Sequence, residues 1–519
     1  MILITSAEFV SQEMRAEIGT IPPSFLPLGN RRLFEHQVRL LRDTYPGEAI
    51  WLSVPATYVI GSADERKLDR LDVYRVAVSA GLSLGGSILE ALDAMGTSDQ
   101  GLRILHGDTL ILDLPAGATD CIAVSDTKAD AYNWAEEEQR AADETVWSGF
   151  FAFADREALV RELRAADGRF VEAVRRYRAA RATPLQPTLQ WLDFGHVNTL
   201  FKSRTAFTTQ RHFNEIAFSD GIVTKRSSDA SKIAAEAEWF GAVPPAIRIH
   251  TPQLLEYQQG ETPSYSLEYL PVFPLNELYV FGRLSSRVWS GIFDRVADLL
   301  DKFRSLAPRD PTTEQEIATE FAQLVRDKTI SRLRDYGARA PFALDRPVTV
   351  NATTFSSVMD VAEDCMKAAL AGPTQNAIMH GDMCFSNMLY DARSDRLKLI
   401  DPRGVTVSGK RTPYGDLRYD IAKLTHSVVG MYDHIIGGYY EVHRNDDTNY
   451  TFSVLSDSEH NLIRSHFLQR TFAGIAVSDV IPVTILLFMS MLPLHKDNED
   501  RQLAFLLNGL TLYQKWRAL

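Results

Sequence analysis

Apolar and polar positions follow two different rhythms along the chain. Over the first two hundred residues, short apolar runs at 1–6, 49–54, 73–78 and 102–106 predict strands. Between them lie stretches of helical spacing, one carrying Leu33, Val38, Leu40 and Leu41, another over 87–95. Such alternation predicts a mainly parallel sheet with helices on both faces. From residue 207 to 269 the rhythm changes: alternating runs at 213–218 and 222–225 flank Ser219-Asp220-Gly221, and Asp-Gly in that setting predicts a hairpin. After Pro274 the pattern is helical. Trp289, Ile292, Phe293, Val296, Leu299, Leu300 and Phe303 recur as one buried helix face. The longest apolar run, 481–492, falls short of the roughly 20 residues a membrane helix needs, so it predicts a buried helix.

Composition narrows the class. A chain of 519 residues is several times a typical domain, so at least two cores are expected. With 45% hydrophobic and 24% charged residues it is an ordinary globular protein, which excludes wholesale disorder. The net charge of −12 argues against a nucleic-acid surface and leaves a small molecule as the expected partner. Cys121, Cys365 and Cys384 are too scattered for a disulfide framework or a zinc site. The apolar start has no basic residue and meets Glu8 early, so it reads as a strand and not a signal peptide. A cytoplasmic protein with no membrane association is the expectation, and oligomeric state is open.

The densest chemistry lies at Ile378-Met379-His380-Gly381-Asp382-Met383-Cys384-Phe385-Ser386-Asn387, followed by Leu399-Ile400-Asp401-Pro402-Arg403-Gly404. A carboxylate, an amide five residues later and a second carboxylate ending an apolar strand are the groups phosphoryl transfer requires: a base for the acceptor hydroxyl and two ligands for Mg²⁺. This segment resembles the core of the aminoglycoside phosphotransferase and choline kinase family, small-molecule relatives of protein kinases. The resemblance covers about residues 206–519, with a small lobe to about 274 and a helical large lobe from about 275. It implies Asp382 as catalytic base, Asn387 and Asp401 on metal, and Lys225, closing the strand 222–224, on the ATP phosphates with Glu236 as its partner. It further implies a hinge at Glu268 and Leu270 that meets the adenine, and Asp420 in Gly415-Asp416-Leu417-Arg418-Tyr419-Asp420 as a brace for the catalytic loop. The hairpin before Lys225 lacks a glycine-rich loop; Thr208, Thr209 and Ser203 with Arg204 or Arg211 are candidate replacements. Arg403 is expected either to meet phosphate or an anionic acceptor, or to form a surface ion pair.

A second His-Gly-Asp, His106-Gly107-Asp108, has no asparagine five residues on. It ends a central strand, where ligands bind in α/β sheets. With Gln190-Trp191-Leu192-Asp193-Phe194-Gly195, the stretch 22–37 and the Gly-containing segment 82–88, it resembles sugar-1-phosphate nucleotidyltransferases over about residues 1–205. That resemblance implies a Rossmann-like, mainly parallel α/β domain with Asp108 and Asp193 as metal ligands and CTP or another NTP as cofactor. Two departures weaken the chemistry: Ser6 to Glu13 replaces a glycine-rich loop, and Ser24 replaces a phosphate-binding lysine.

The whole chain is thus expected to be α/β, a nucleotidyltransferase-like domain followed by a bilobal kinase-like α+β domain. The pair resembles bacterial fusions for capsule and surface-polysaccharide synthesis. It implies ATP- and Mg²⁺-dependent phosphorylation of a sugar, polyol or amino alcohol, then nucleotidyl transfer to the product. The alternative is a nucleotide- or sugar-binding regulatory protein with degenerate domains. An antibiotic kinase would instead need an acidic cleft, for which Asp446, Asp447, Asp457 and Glu459 are candidates.

Overall fold

The computed structural model describes residues 1–96, 101–126, 145–207, 214–308, 310–339 and 344–518. The chain divides into two compact units, Met1–Thr209 with Phe281–Arg283, and Gln210–Val280 with Leu284–Leu519.

In the first unit the apolar runs form a seven-stranded sheet, in the order Leu185–Pro187, Cys121–Asp126, Thr145–Phe153, Leu102–His106, Ile2–Thr5, Ile50–Pro55, Val73–Val78. Ile2–Thr5 pairs in parallel with both its neighbours, and Ile50–Pro55 does so with Val73–Val78. Thr145–Phe153 runs against both of its neighbours. Ile2, Leu3 and Ile4 are fully buried, as continuous apolar runs are when helices cover both faces of a sheet. Phe151, Phe153, Phe170 and Tyr177 build the core on one side with Ile88 and Leu92 of the helix Leu84–Ala94. The result is a mainly parallel α/β sheet with helices packed on it. A short ribbon matters more for chemistry. Thr109–Ile111 pairs antiparallel with Trp191–Asp193, and the register sets Asp193 opposite Thr109, one residue from Asp108.

The second unit begins with a four-stranded antiparallel sheet ordered Asn214–Ser219, Ile222–Ser227, Ser264–Glu268, Leu254–Gln258. Asp220 and Gly221 make the predicted hairpin turn, both with positive φ (50° and 75°), which an Asp-Gly pair tolerates. Lys225 does not close its strand: pairing continues to Ser227, so the lysine sits in the strand interior opposite Tyr265. The helix Ala230–Ala242 follows. The helical lobe then buries the apolar stripe of Ser286–Ser305 at all seven predicted positions. The run 481–492 lies mostly in the buried helix Val477–Ser490. Among the described residues no helix is long and apolar enough to cross a membrane. The helices Leu417–Val428 and Lys328–Gly337 both pack on Val477–Ser490. Lys328–Gly337 is preceded by a π-helical turn, Gln323–Asp327. A sheet with one helix, joined to a helical lobe, gives this unit a bilobal α+β arrangement.

Candidate active site

The loop His380–Asn387 is held in place from below. Asp420, buried on the helix Leu417–Val428, accepts the His380 N–H at 2.7 Å on one oxygen and the Gly381 N–H at 2.8 Å on the other. Gly381 has a φ of 79°, and a Cβ there would lie 2.7 Å from Cβ of Arg403, so glycine is required twice over. Asn387, placed by the turn Phe385–Asn387, donates its Nδ2 to the Asp382 carbonyl at 2.9 Å and to Asp382 Oδ2 at 3.1 Å. Lys423 Nζ stands 2.8 Å from Asp382 Oδ1. Burial alone would raise the Asp382 carboxyl, but Lys423 and Arg403 outweigh it and hold the group well below the usual carboxylate range. Asp382 is therefore ionised and aimed.

Asp401 follows the strand Arg396–Leu399 in a left-handed conformation (φ 56°), with its side chain 46% exposed. Its Oδ1 lies 2.7 Å from Lys225 Nζ, which also meets Glu236 Oε2 at 2.7 Å. The Tyr265 hydroxyl donates to that same Glu236 oxygen at 2.7 Å. Burial would lower the Lys225 ammonium, yet Asp401 and Glu236 reverse the sign and raise it. Glu236 is itself buried and pushed upward, with Lys225 opposing. Thus Lys225, Glu236 and Asp401 form one cluster, and Asp382, Asn387 and Lys423 another. The Asn387 carbonyl accepts the Ile400 N–H at 3.0 Å and the His380 carbonyl accepts the Arg403 N–H at 2.8 Å, which binds the two clusters together. Glu268 ends the strand Ser264–Glu268, its N–H donated to the Gln253 carbonyl at 3.0 Å, while the Leu270 carbonyl accepts the Val272 N–H at 2.9 Å.

Several charges here carry no motif. Arg403 Nη2 donates to the Tyr419 hydroxyl at 2.8 Å, and its guanidinium lies 4.7 Å from the ring centroid. Burial would raise the Tyr419 phenol, but Arg403, Lys328 and Lys423 bring it down to about 7. Tyr419 in turn draws Lys328 upward, and burial with Arg403, Arg332 and Lys423 overcomes this, leaving Lys328 at about 8. Lys423 lay in a segment notable for Asp420, but Lys328 and Arg332 had no signal beyond an i,i+4 spacing common on any helix. Each acidic candidate has a local partner: Asp446 caps Thr448, Asp447 pairs with Arg444, Asp457 binds His460, and Glu459 accepts the Ser286 N–H.

In the N-terminal unit the two predicted carboxylates do meet. Gly195 separates them: a Cβ there would lie 2.8 Å from Asp108 Oδ2 and 3.2 Å from Asp193 Oδ1. The Asp108 carbonyl accepts the Phe194 N–H at 2.8 Å, and Asp193 Oδ1 accepts the Gly195 N–H at 2.9 Å. Asp193 Oδ2 is buried with no hydrogen-bond partner among the described residues. Burial raises both carboxyls, and Asp108 raises Asp193 further. Ser24 is fully buried, its Oγ donating to the Gly107 carbonyl at 3.1 Å, so no lysine could occupy its place. Gly85 serves packing: a Cβ would lie 2.4 Å from the Gly168 carbonyl oxygen. Ser203 and Arg204 belong to this unit, on the helix Val197–Ala206, where they bind the carbonyls of Asp193 and Pro27 at 2.7 and 3.1 Å. Both are engaged within this unit. Thr208, Thr209 and Arg211 lie outside the described residues.

Among the described residues no three His, Cys, Asp or Glu side chains cluster to hold a metal ion. The oxygen-bearing candidates are Asp108 with Asp193, which meet, and Asn387 and Asp401, which sit in adjoining clusters linked through the Asn387 carbonyl and the Ile400 N–H. Both suit a hard cation such as Mg²⁺, which takes one or two protein oxygens and completes its shell with phosphate and water.

No protein-family model and no curated protein matches the chain. Among solved structures, a nucleoside-diphosphate-sugar pyrophosphorylase from Vibrio cholerae is similar at 15% identity over 39% of this chain and 99% of its own, with a TM-score of 0.33. An ethanolamine kinase from Plasmodium vivax matches at 11% identity over 66% of this chain and 93% of its own, TM-score 0.34. An aminoglycoside-3′-phosphotransferase of type VIII matches at 14% identity over 59% and 96%, TM-score 0.28. The chain is thus similar to nucleotide-sugar pyrophosphorylases and to small-molecule phosphotransferases, and its chemistry is read from the residues described above.

Proposed function

We propose that the larger unit is an ATP- and Mg²⁺-dependent kinase that phosphorylates a hydroxyl of a small molecule of the sugar, polyol or amino alcohol kind. The observation that carries this reading is Lys225 held between Glu236 and Asp401, beside an Asp382 kept ionised by Lys423. Asp382 accepts the proton as the acceptor oxygen bonds to the γ-phosphorus and the bond to the β-phosphate oxygen breaks, releasing ADP. Lys225 binds the nucleotide phosphates, and Glu236 positions it from the helix. Glu268 and Leu270 flank the adenine. Asn387 and Asp401 hold Mg²⁺, which neutralises phosphate charge. The test is ADP release with ATP and Mg²⁺ over a panel of hydroxyl compounds. Wild type should turn over at least one compound and Asp382→Ala none above background; equal rates in both sink the reading.

The smaller unit then acts on the phosphorylated product, with Asp108 and Asp193 holding Mg²⁺ and CTP or another NTP as donor, making a capsule or surface-polysaccharide precursor. Buried Ser24 in place of a lysine, with Glu8 in the first loop and Glu13 in the first turn of the helix Gln12–Ile18, favours a second reading for this unit: nucleotide or sugar binding without transfer. Pyrophosphate release from each NTP with the phosphorylated product separates the two.

A further inference from the structure

The transfer chemistry leaves one group of charges in the larger unit unexplained. Tyr419 and Lys423 stand one turn apart on Leu417–Val428, and Lys328 and Arg332 one turn apart on Lys328–Gly337. Both helices lean on Val477–Ser490, where Arg332 Nη1 is fixed by the Ser490 carbonyl at 2.9 Å. Arg403 enters between them and donates to Tyr419. Four cations therefore converge on Tyr419, and two of them, Lys423 and Arg403, also face Asp382. The acids facing them are Asp382 and Glu320, whose Oε1 accepts the Val407 N–H at 2.7 Å.

Two cationic groups in this set keep open donors among the described residues. Arg403 Nη1 is buried with no hydrogen-bond partner, and Lys328, half-buried, makes no hydrogen bond or ion pair among the described residues. Crowding like charges without partners is unfavourable, and a bound anion relieves it. The location separates this set from the nucleotide. Lys225 engages Asp401, where the ATP phosphates are expected, whereas Lys423 and Arg403 face Asp382, beside which the acceptor hydroxyl must lie, and Lys328 and Arg332 join them around Tyr419. The π-helical turn Gln323–Asp327 immediately before Lys328 is a second mark, since such turns recur at functional sites.

We propose that Lys328, Arg332 and Arg403 bind a phosphate or carboxylate carried by the phosphoryl acceptor, so that the substrate is an acidic hydroxyl compound and not a neutral polyol or a cationic amino alcohol. This rests on the kinase reading and narrows it. Planar guanidinium groups suit such an anion because they bind two oxygens at once.

The experiment uses the full chain with ATP and Mg²⁺ and pairs each acceptor with its acidic form: glucose with glucose 6-phosphate and glucuronate, glycerol with glycerol phosphate and glycerate, ethanolamine with serine. Turnover of acidic members is expected, and Lys328→Met with Arg332→Met should raise the acceptor KM about tenfold or more with little change in the KM for ATP. Turnover confined to neutral or cationic members overturns the proposal while leaving the kinase reading intact. A rise in the KM for ATP with the acceptor KM spared also overturns it, because the cations would then serve the nucleotide. If Asp382-dependent ADP release is absent altogether, the kinase reading falls, and thermal melting decides the anion site. Millimolar glucose 6-phosphate or inorganic phosphate must raise the melting temperature of wild type and not of the double variant; no difference overturns it.

Discussion

His-Gly-Asp occurs once in each unit, and the two copies do opposite things with one tripeptide. In His380-Gly381-Asp382 the backbone N–H groups point down to Asp420, and the aspartate is met by Lys423 and Asn387. In His106-Gly107-Asp108 the carbonyls point inward, where Gln37 Nε2 donates to His106, Gly107 and Thr109, and the aspartate meets a second carboxylate. One site surrounds its carboxylate with cations and keeps it charged. The other sets two acids together and pushes both toward protonation. A motif of three residues therefore names a turn, and the neighbouring elements decide whether its aspartate is held charged or pushed toward protonation.

The comparison can be broken most forcefully at the brace. Asp420→Ala strands two buried N–H donors and should lower the stability of the larger unit by about 3 kcal/mol. It should also cut phosphoryl transfer by roughly 100-fold or more, since displacing a catalytic group by about 1 Å has that effect. Gln37→Ala, its counterpart, should lower stability by about 1–3 kcal/mol and leave the kinase rate unchanged, read by urea unfolding and ADP release. Equal kinase losses would mean that the two loops are not independent.

Lys423→Met sharpens the electrostatic half of the contrast. Asp382 is depressed in the folded protein, and as the proposed base it acts as a carboxylate, so activity is expected above its pKa and lost below it. Removing the ammonium raises that pKa, and the acid limb of the kcat/KM profile should move up by about one unit or more. An unmoved limb would show that Lys423 does not tune the base.

The smallest effect is expected at the acid pair. Asp108 and Asp193 have raised pKa values, so between the unfolded value of about 3.9 and the raised ones the folded state binds more protons. Stability then falls as pH rises through that window. Asp193→Asn should flatten this slope. Mg²⁺ at ten times its Kd should add about 1.4 kcal/mol to wild type and nothing to the variant, measured by thermal melting. An identical gain in both would place the cation elsewhere.

Much of this architecture is legible along the chain because it is written in local patterns. The runs at 73–78 and 102–106 become strands with the same ends, and the stripe from Trp289 to Phe303 is buried throughout. Asp382, Asn387, Asp401, Lys225 and Glu236 keep a motif order that survives folding. What escapes is set by long-range packing. Lys328 and Arg332 look like ordinary helix charges until a third helix brings them beside Tyr419, and Ser24 reads as a lost phosphate ligand until its burial against Gly107 shows that the chain has no room there. Likewise the strand at Lys225 continues because Arg226 and Ser227 still find partners in Ser264 and Asn214, information carried by the partner strands alone.

The π-helical turn Gln323–Asp327 gives this part of the larger unit an unusual tolerance. A turn of this form holds about one residue more than an α-turn and takes it up locally. Deleting that residue would restore α-helical winding and leave Lys328 and Arg332 facing nearly as before. A deletion between Lys328 and Arg332 would instead swing the residues that follow by about 100° and turn Arg332 away from Tyr419 while Lys328 stayed beside it. Chain length can therefore vary at the turn, but not one turn further along, without separating the two cations.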